Sequence, residues 1–267
     1  MDVNCAVSKE RGWSGRDLRQ QMAGFVMTLV VYPLLALWTL TGIGFFPLGF
    51  LLWKLVTGWP AGRIMRHFIW LYGRGWMAIV SPFVRFRRQG FENLHDLRPS
   101  VFVLNHLSFF DTYCMALLPC YDVTFAVRAW PFRMFWYGAF MRLAGYLNVE
   151  DSSWEGVLQQ ADQALSAGSH LLFFPEGHRS RDGGLQPFQS GAFRLALAKK
   201  VPLVPLCITG TDRLLPPGRW RFSPCRITLQ ALPPIDPAAY SGEKDYRLLL
   251  RQVREQMAAT LKQMNAK

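Results

Sequence analysis

At 267 residues the chain has room for one large α/β domain plus an appendage, and ample material for a core. Lysine and arginine total 30, mostly arginine, against 18 acidic residues, so a formal charge of +12 calls for an anionic partner: nucleic acid, a phospholipid surface or a phosphorylated substrate. A hydrophobic fraction of 51%, with 10 tryptophans and 20 phenylalanines, favours the membrane over nucleic acid, and 5 scattered cysteines without a C-x-x-C pair support neither a disulfide framework nor a zinc site and fit a reducing, cytoplasmic setting.

The stretch from Met1 to Gln21 is polar and basic, with Lys9, Arg11, Arg16 and Arg19, and no charge then appears from Met22 to Trp53. That run is too long for a signal-peptide core and, as one straight helix, would exceed a hydrocarbon thickness of roughly 30 Å. Pro33, the cluster Thr41-Gly42-Ile43-Gly44 and Pro47 divide it into two apolar segments, which predicts a hydrophobic helical hairpin. Basic residues before the run, and Lys54, Arg63 and Arg66 after it, point both ends to the cytoplasm and suit partial insertion or a two-span hairpin. A buried core helix pair is the alternative. From Trp59 to Val80, basic and aromatic residues interleave at helical spacing, as in a helix lying in the headgroup layer. Within it Gly73-Arg74-Gly75-Trp76-Met77-Ala78 matches G-x-G-x-x-A but lacks the preceding strand a dinucleotide site requires.

Residues 1–80 therefore read as a membrane-anchoring region and 81–267 as the compact domain. In that domain strands are predicted over 83–88, 101–104, 123–127, 145–149, 171–174, 203–208 and 227–230. Helices are predicted over 108–118, 132–143, 191–200 and 243–262, with another opened by a capping box at Ser152-Ser153-Trp154-Glu155 and stopped by Gly168. The alternation implies βαβ units: an α/β fold with a mixed, largely parallel sheet surrounded by helices.

Two polar motifs sit at strand exits, where ligands bind in such sheets. After Leu104 comes Asn105-His106-Leu107-Ser108-Phe109-Phe110-Asp111. A histidine and an aspartate at this spacing can meet in one turn of backbone, as a general base and its orienting carboxylate. A loop histidine beside a helix-starting aspartate gives the same pattern for ordinary structural reasons. After Phe174 comes Pro175-Glu176-Gly177-His178-Arg179-Ser180: the glycine lets backbone approach a ligand, and Arg179 offers a planar fork for phosphate or carboxylate. Glu176 suits an arginine anchor or a bond from a substrate hydroxyl, while a plain strand exit with a solvated arginine is the alternative.

Together with Val201-Pro202-Leu203-Val204-Pro205-Leu206, these blocks resemble, in order, the N-H-x-S-x-x-D, F-P-E-G-T-R-S and V-P-x-x-P-x patterns of the glycerolipid acyltransferase family, of the lysophosphatidic acid acyltransferase type. The resemblance spans about 83–232, and the N-terminal hairpin is similar to that family's anchoring helices. It implies a glycerol-3-phosphate acyltransferase-like fold and transfer of an acyl group from a thioester to a hydroxyl of a lysolipid acceptor. His106 would be the base and Asp111 its partner; Glu176, Gly177 and Arg179 would line the acceptor pocket, helped by Arg128, with Asn105 and Ser108 shaping the turn. No metal or bound cofactor is implied, since acyl-CoA or an acyl carrier protein thioester is a co-substrate. The expected partners are membrane lipids and that donor, not nucleic acid. The expected location is the membrane, at the cytoplasmic face of the inner membrane in a bacterium.

Three departures bear on the acceptor. His178 replaces the usual threonine, Gln189 stands where lysine is frequent, and Glu150-Asp151 occupy a place usually ending in arginine. Fewer cations predict a head group other than a simple phosphomonoester, such as an amino-acid-containing lipid or a glycolipid. A non-catalytic peripheral lipid-binding protein is the competing class. A lipid hydrolase ranks last, because G-x-S-x-G is absent.

Overall fold

The apolar N-terminal run forms one continuous helix, α1 (Gly15–Thr57), whose 43 residues make it about 65 Å long. It is long and apolar enough to cross a membrane. The break expected between Pro33 and Pro47 does not occur: both prolines lie inside α1, and the chain turns instead at 58–60, where Gly58 takes a φ of 68°. The hairpin partner is α2 (Ala61–Val80), which runs back along α1 and clamps the suspect region. Between the two prolines Trp38 Nε1 donates to the Tyr72 carbonyl at 3.1 Å, and the Thr39 and Tyr72 hydroxyls bond at 2.7 Å. On the far side of Pro47 the Trp53 ring stacks on His67. A Cβ on Gly75 would fall 2.2 Å from the Trp38 ring, and one on Gly73 would fall 2.9 Å from Ala116. The G-x-G spacing is thus a pair of packing seats, and α2 is a core helix: Ile64, Met65, Trp76, Met77 and Val80 are buried in it.

The computed structural model describes residues 15–266 except 93, 95–97, 136, 181, 217, 241 and 243, so Lys9 and Arg11 of the basic N-terminal stretch, and the predicted start of the last helix at Glu243, lie outside the described residues. The remaining elements, in order, are β1 (Val84–Gln89), β2 (Val101–Leu104), α3 (Asp111–Cys114), β3 (Val123–Val127), α4 (Ala129–Phe132), α5 (Gly138–Ala144), β4 (Leu147–Asn148), α6 (Trp154–Ser166), β5 (His170–Phe173), α7 (Gly191–Lys199), β6 (Leu203–Thr209), α8 (Thr211–Leu214), β7 (Cys225–Ala231) and α9 (Tyr246–Asn265). One sheet runs β1-β7-β6-β2-β5-β3-β4, parallel throughout except between β6 and β7. The expected mixed, largely parallel sheet surrounded by helices is therefore what forms.

Two predicted helices are shorter than their sequence pattern. The one expected over 108–118 is a single α turn at 111–114 followed by a 3₁₀ turn at 115–117. The one expected over 132–143 splits into α4 and α5, because Gly138 packs its backbone against the Phe132 carbonyl. The α6 cap is shifted by one residue: the Ser153 hydroxyl accepts from the Gly156 N–H at 3.1 Å, so Glu155 is not its capping-box partner.

One face of the sheet packs on α1 and α2, through Met27, Val31, Trp76 and Val80 against Phe102, Leu104 and Ile227. The other packs on α6, α7 and α9, through Val157, Phe193 and Val253 against Val103, Leu171 and Cys207. The N-terminal helices thus share the core of the α/β body. A buried ion pair ties them further: Arg66 Nε meets Asp122 Oδ1 at 2.6 Å, and Arg66 Nη1 donates to the Ala144 carbonyl at 2.7 Å. Removing one partner of such a pair strands the other charge away from water. We expect Asp122→Ala to destabilise the protein by about 3–5 kcal/mol, read by thermal or denaturant unfolding.

Candidate active site

Three parallel strands at the centre of the sheet, β5, β2 and β6, deliver the site from their C-terminal ends. Val103 is in register with Phe173, and Leu104 with Leu206, so the turns that follow these strands lie side by side. Asn105 locks one flank: its amide bonds both the N–H and the carbonyl of Ile208, at 2.7 and 2.9 Å, joining the exit of β2 to β6. Ser180 N–H donates to the His106 carbonyl at 2.7 Å, joining it to the loop after β5.

Within this frame His106 Nδ1 lies 2.8 Å from Asp111 Oδ2. The same oxygen accepts the backbone N–H groups of Leu107 at 2.7 Å and Ser108 at 2.8 Å, while Oδ1 accepts the Thr211 hydroxyl. The carboxylate is fully buried, and these donors are what make its charge tolerable there. With Nδ1 committed to an anion, Nε2 is the ring nitrogen left for a substrate proton. The Phe174 ring stacks on the imidazole at a centroid distance of 4.2 Å and fixes its plane. Ser108, buried, contributes its N–H to Asp111, and its hydroxyl sits under Phe110 N–H at 3.4 Å.

His106 borders a cavity of about 1520 Å³ that extends between α1, α2, β3 and α5, lined by Trp38, Phe46, Phe68, Phe125 and Phe140. Its polar end carries Gly177, His178, Arg179, Gln189 and Arg128. Arg179 is exposed, and among the described residues no carboxylate pairs with it. Gly177 has a φ of 71°, which brings the loop backbone to the cavity wall.

Glu176, expected in the acceptor pocket, does not line the cavity. Its carboxylate is buried and accepts the N–H of His106 at 2.7 Å and of Gln186 at 2.8 Å. Burial pushes its carboxyl above the usual range, and the Gln186 and His106 N–H groups pull it back. Arg128 reaches the cavity but is held by Glu150 at 2.6 Å; Glu150 also accepts from Ala129 N–H and lies below the usual carboxylate range, chiefly through the Arg128 bond. Asp151 faces Arg133 at 3.5 Å. The acidic pair that stands in place of a cation is therefore spent on two arginines. Among the thiols, burial pushes Cys120, at the cavity wall, and Cys207 up to about 12, so neither supplies a thiolate.

Thr211 and Phe174 escaped the sequence reading. Phe174 directly follows β5 and directly precedes Pro175-Glu176, and that place at the head of the motif was the available signal; Thr211 lies 100 residues beyond Asp111, with no local pattern to join them.

Comparison with known proteins gives the class first: a family model described as Acyltransferase matches residues 83–209, the span holding both motifs. A 1-acyl-sn-glycerol-3-phosphate acyltransferase of Limnanthes douglasii is 30% identical over 213 residues, which cover 76% of this chain and 74% of that protein. A chloroplastic 1-acyl-sn-glycerol-3-phosphate acyltransferase of Brassica napus is 33% identical over 61% of this chain and 50% of its own length. In fold, the crystal structure of the 1-acyl-sn-glycerophosphate acyltransferase of Thermotoga maritima superposes with a TM-score of 0.74 at 23% identity, covering 93% of this chain and 98% of that one. The chain belongs to the glycerolipid acyltransferase family, of the lysophosphatidic acid acyltransferase type, and is an O-acyltransferase.

The geometry separates positioning from substrate contact. Thr211→Val leaves Asp111 Oδ1 buried without its hydroxyl, so stability should fall by about 1–3 kcal/mol and kcat should drop, whereas Thr211→Ser should restore both. Glu176→Gln puts an amide NH₂ against one of two backbone N–H donors; we expect a lower Tm and a lower kcat with acceptor KM unchanged, whereas a residue in contact with the acceptor would raise KM.

Proposed function

We propose that this membrane-associated enzyme transfers a fatty acyl group from an acyl thioester, of coenzyme A or an acyl carrier protein, to a free hydroxyl of lysophosphatidic acid or another anionic lysolipid. What most supports the reading is that the His106–Asp111 pair borders a long apolar cavity whose polar end carries Arg179, an exposed arginine with which no carboxylate pairs among the described residues. The cavity suits acyl chains, and its walls on α1 and α2 are continuous with the apolar helix proposed to anchor the enzyme in the bilayer, ahead of a transferase body over 81–267. The relatives' names, 1-acyl-sn-glycerol-3-phosphate acyltransferase, point to the acceptor class.

In this reading Arg179 receives the acceptor's anionic group, with Arg128 flanking it and Gly177 giving the head group room. His106 Nε2 takes the proton of the acceptor hydroxyl as its oxygen attacks the thioester carbonyl. Asp111 holds the imidazole in the required tautomer and stabilises the imidazolium. The tetrahedral intermediate collapses with cleavage of the C–S bond, and the leaving thiolate takes the proton back from His106. An ester and a free thiol result, with no covalent enzyme intermediate.

The test is His106→Ala, assayed by thiol release from an acyl thioester in the presence of lysophosphatidic acid. We expect kcat to fall by about 10²–10⁴-fold, with vesicle binding unchanged. Full activity in the variant would remove His106 as the base.

A further inference from the structure

The segment between α8 and β7 carries Arg219-Trp220-Arg221, which none of the chemistry above uses. All three side chains are exposed, and the Trp220 indole is 64% accessible. An exposed tryptophan on a loose loop is unremarkable, but this loop is fixed from beneath. The Trp220 carbonyl accepts the Tyr32 hydroxyl at 2.8 Å, and Phe222 N–H donates to Thr28 Oγ1 at 3.0 Å. Phe222 is buried against the Tyr32 ring at 5.0 Å, and a Cβ on Gly24 would fall 2.8 Å from its carbonyl oxygen. The Arg221 guanidinium lies over both Phe25, at 5.6 Å, and Trp220, at 5.8 Å. Among the described residues no carboxylate pairs with Arg219 or Arg221. The loop thus adds an aromatic ring and two uncompensated charges to the N-terminal half of α1, whose outer face exposes Leu18, Met22, Phe25 and Leu29.

We propose that Arg219-Trp220-Arg221 is a second membrane anchor, with Trp220 at the interface and both guanidiniums on anionic phospholipid headgroups. The inference rests on the membrane-associated reading above. Three features favour a lipid surface: continuity with the apolar face of α1, a tryptophan whose amphipathic ring suits the headgroup layer, and two exposed arginines beside it, of which Arg221 lies over the Phe25 and Trp220 rings. The loop also reaches the turn that carries Asp111: Phe222 packs on Phe110 at 5.8 Å, one residue before Asp111, and Thr211, in the helix α8 that leads into the loop, donates to Asp111.

The experiment is co-sedimentation of the full chain with vesicles of phosphatidylcholine alone or mixed with phosphatidylglycerol. Wild type should bind both and prefer the anionic mixture. The double variant Arg219→Gln/Arg221→Gln should lose about 10- to 30-fold of its affinity for the anionic vesicles and little on phosphatidylcholine, while Trp220→Ala should weaken binding to both. Turnover in detergent micelles should be unchanged in all variants, which reports that they are folded. Anionic binding unchanged in the double variant, whatever happens to turnover, would overturn the anchor; so would equal wild-type affinity for the two vesicles. Wild type binding neither would instead overturn the membrane reading of α1.

Discussion

A buried carboxylate is tolerable only where the surrounding chain saturates it with donors, and Asp111 sets that requirement for much of the architecture. Its donors come from the turn after β2 and from Thr211 after β6, together with the imidazole it orients. These groups meet because β6 and β2 are parallel and in register, and because Asn105 clips the exit of β2 to Ile208. Glu176 makes the corresponding tie on the β5 side by holding the His106 N–H. The His106–Asp111 pair is thus held from three strands, and the two N–H groups bonded by Glu176 tie the loops around it together.

The same economy appears in the N-terminal helices. α1 is longer than one bilayer crossing needs and exposes apolar side chains on its outer face, while its inner face enters the core through Met27 and Val31. It is an edge of the protein body that remains unfinished on its outer side. The cavity beside His106 lies partly between this helix and the sheet, so one element carries both an exposed apolar face and a wall of the cavity.

Most of the sheet is legible in the sequence, because β2 and β3 are short apolar runs bounded by polar turns and their predicted limits match. The His106–Asp111 contact is only half legible: its spacing suits a loop histidine beside a helix-starting aspartate as well, and the pair stands out through the resemblance carried by the ordered motifs around it. What escapes is whatever depends on distant partners. Prolines at 33 and 47 read as breaks, since nothing local announces the Trp38 and Tyr72 contacts that back α1 between them. Glu176 is expected at the acceptor pocket through the family resemblance, while its two N–H partners, 70 and 10 residues away, have no local signal. Thr211 had no pattern at all.

The seating of Phe222 on α1 bears on the order of events during synthesis. Thr28 and Phe222 are 194 residues apart, so at 5–20 residues per second the inner face of α1 leaves the ribosome roughly 10–40 s before its protein partner exists. Throughout that interval any apolar phase, a bilayer included, competes for Met27 and Val31. Whatever covers that face in the meantime has to give way to Phe222 later, and the hydroxyls and glycine along it (Gly24, Thr28, Tyr32) make the seat specific for Phe222 rather than merely apolar.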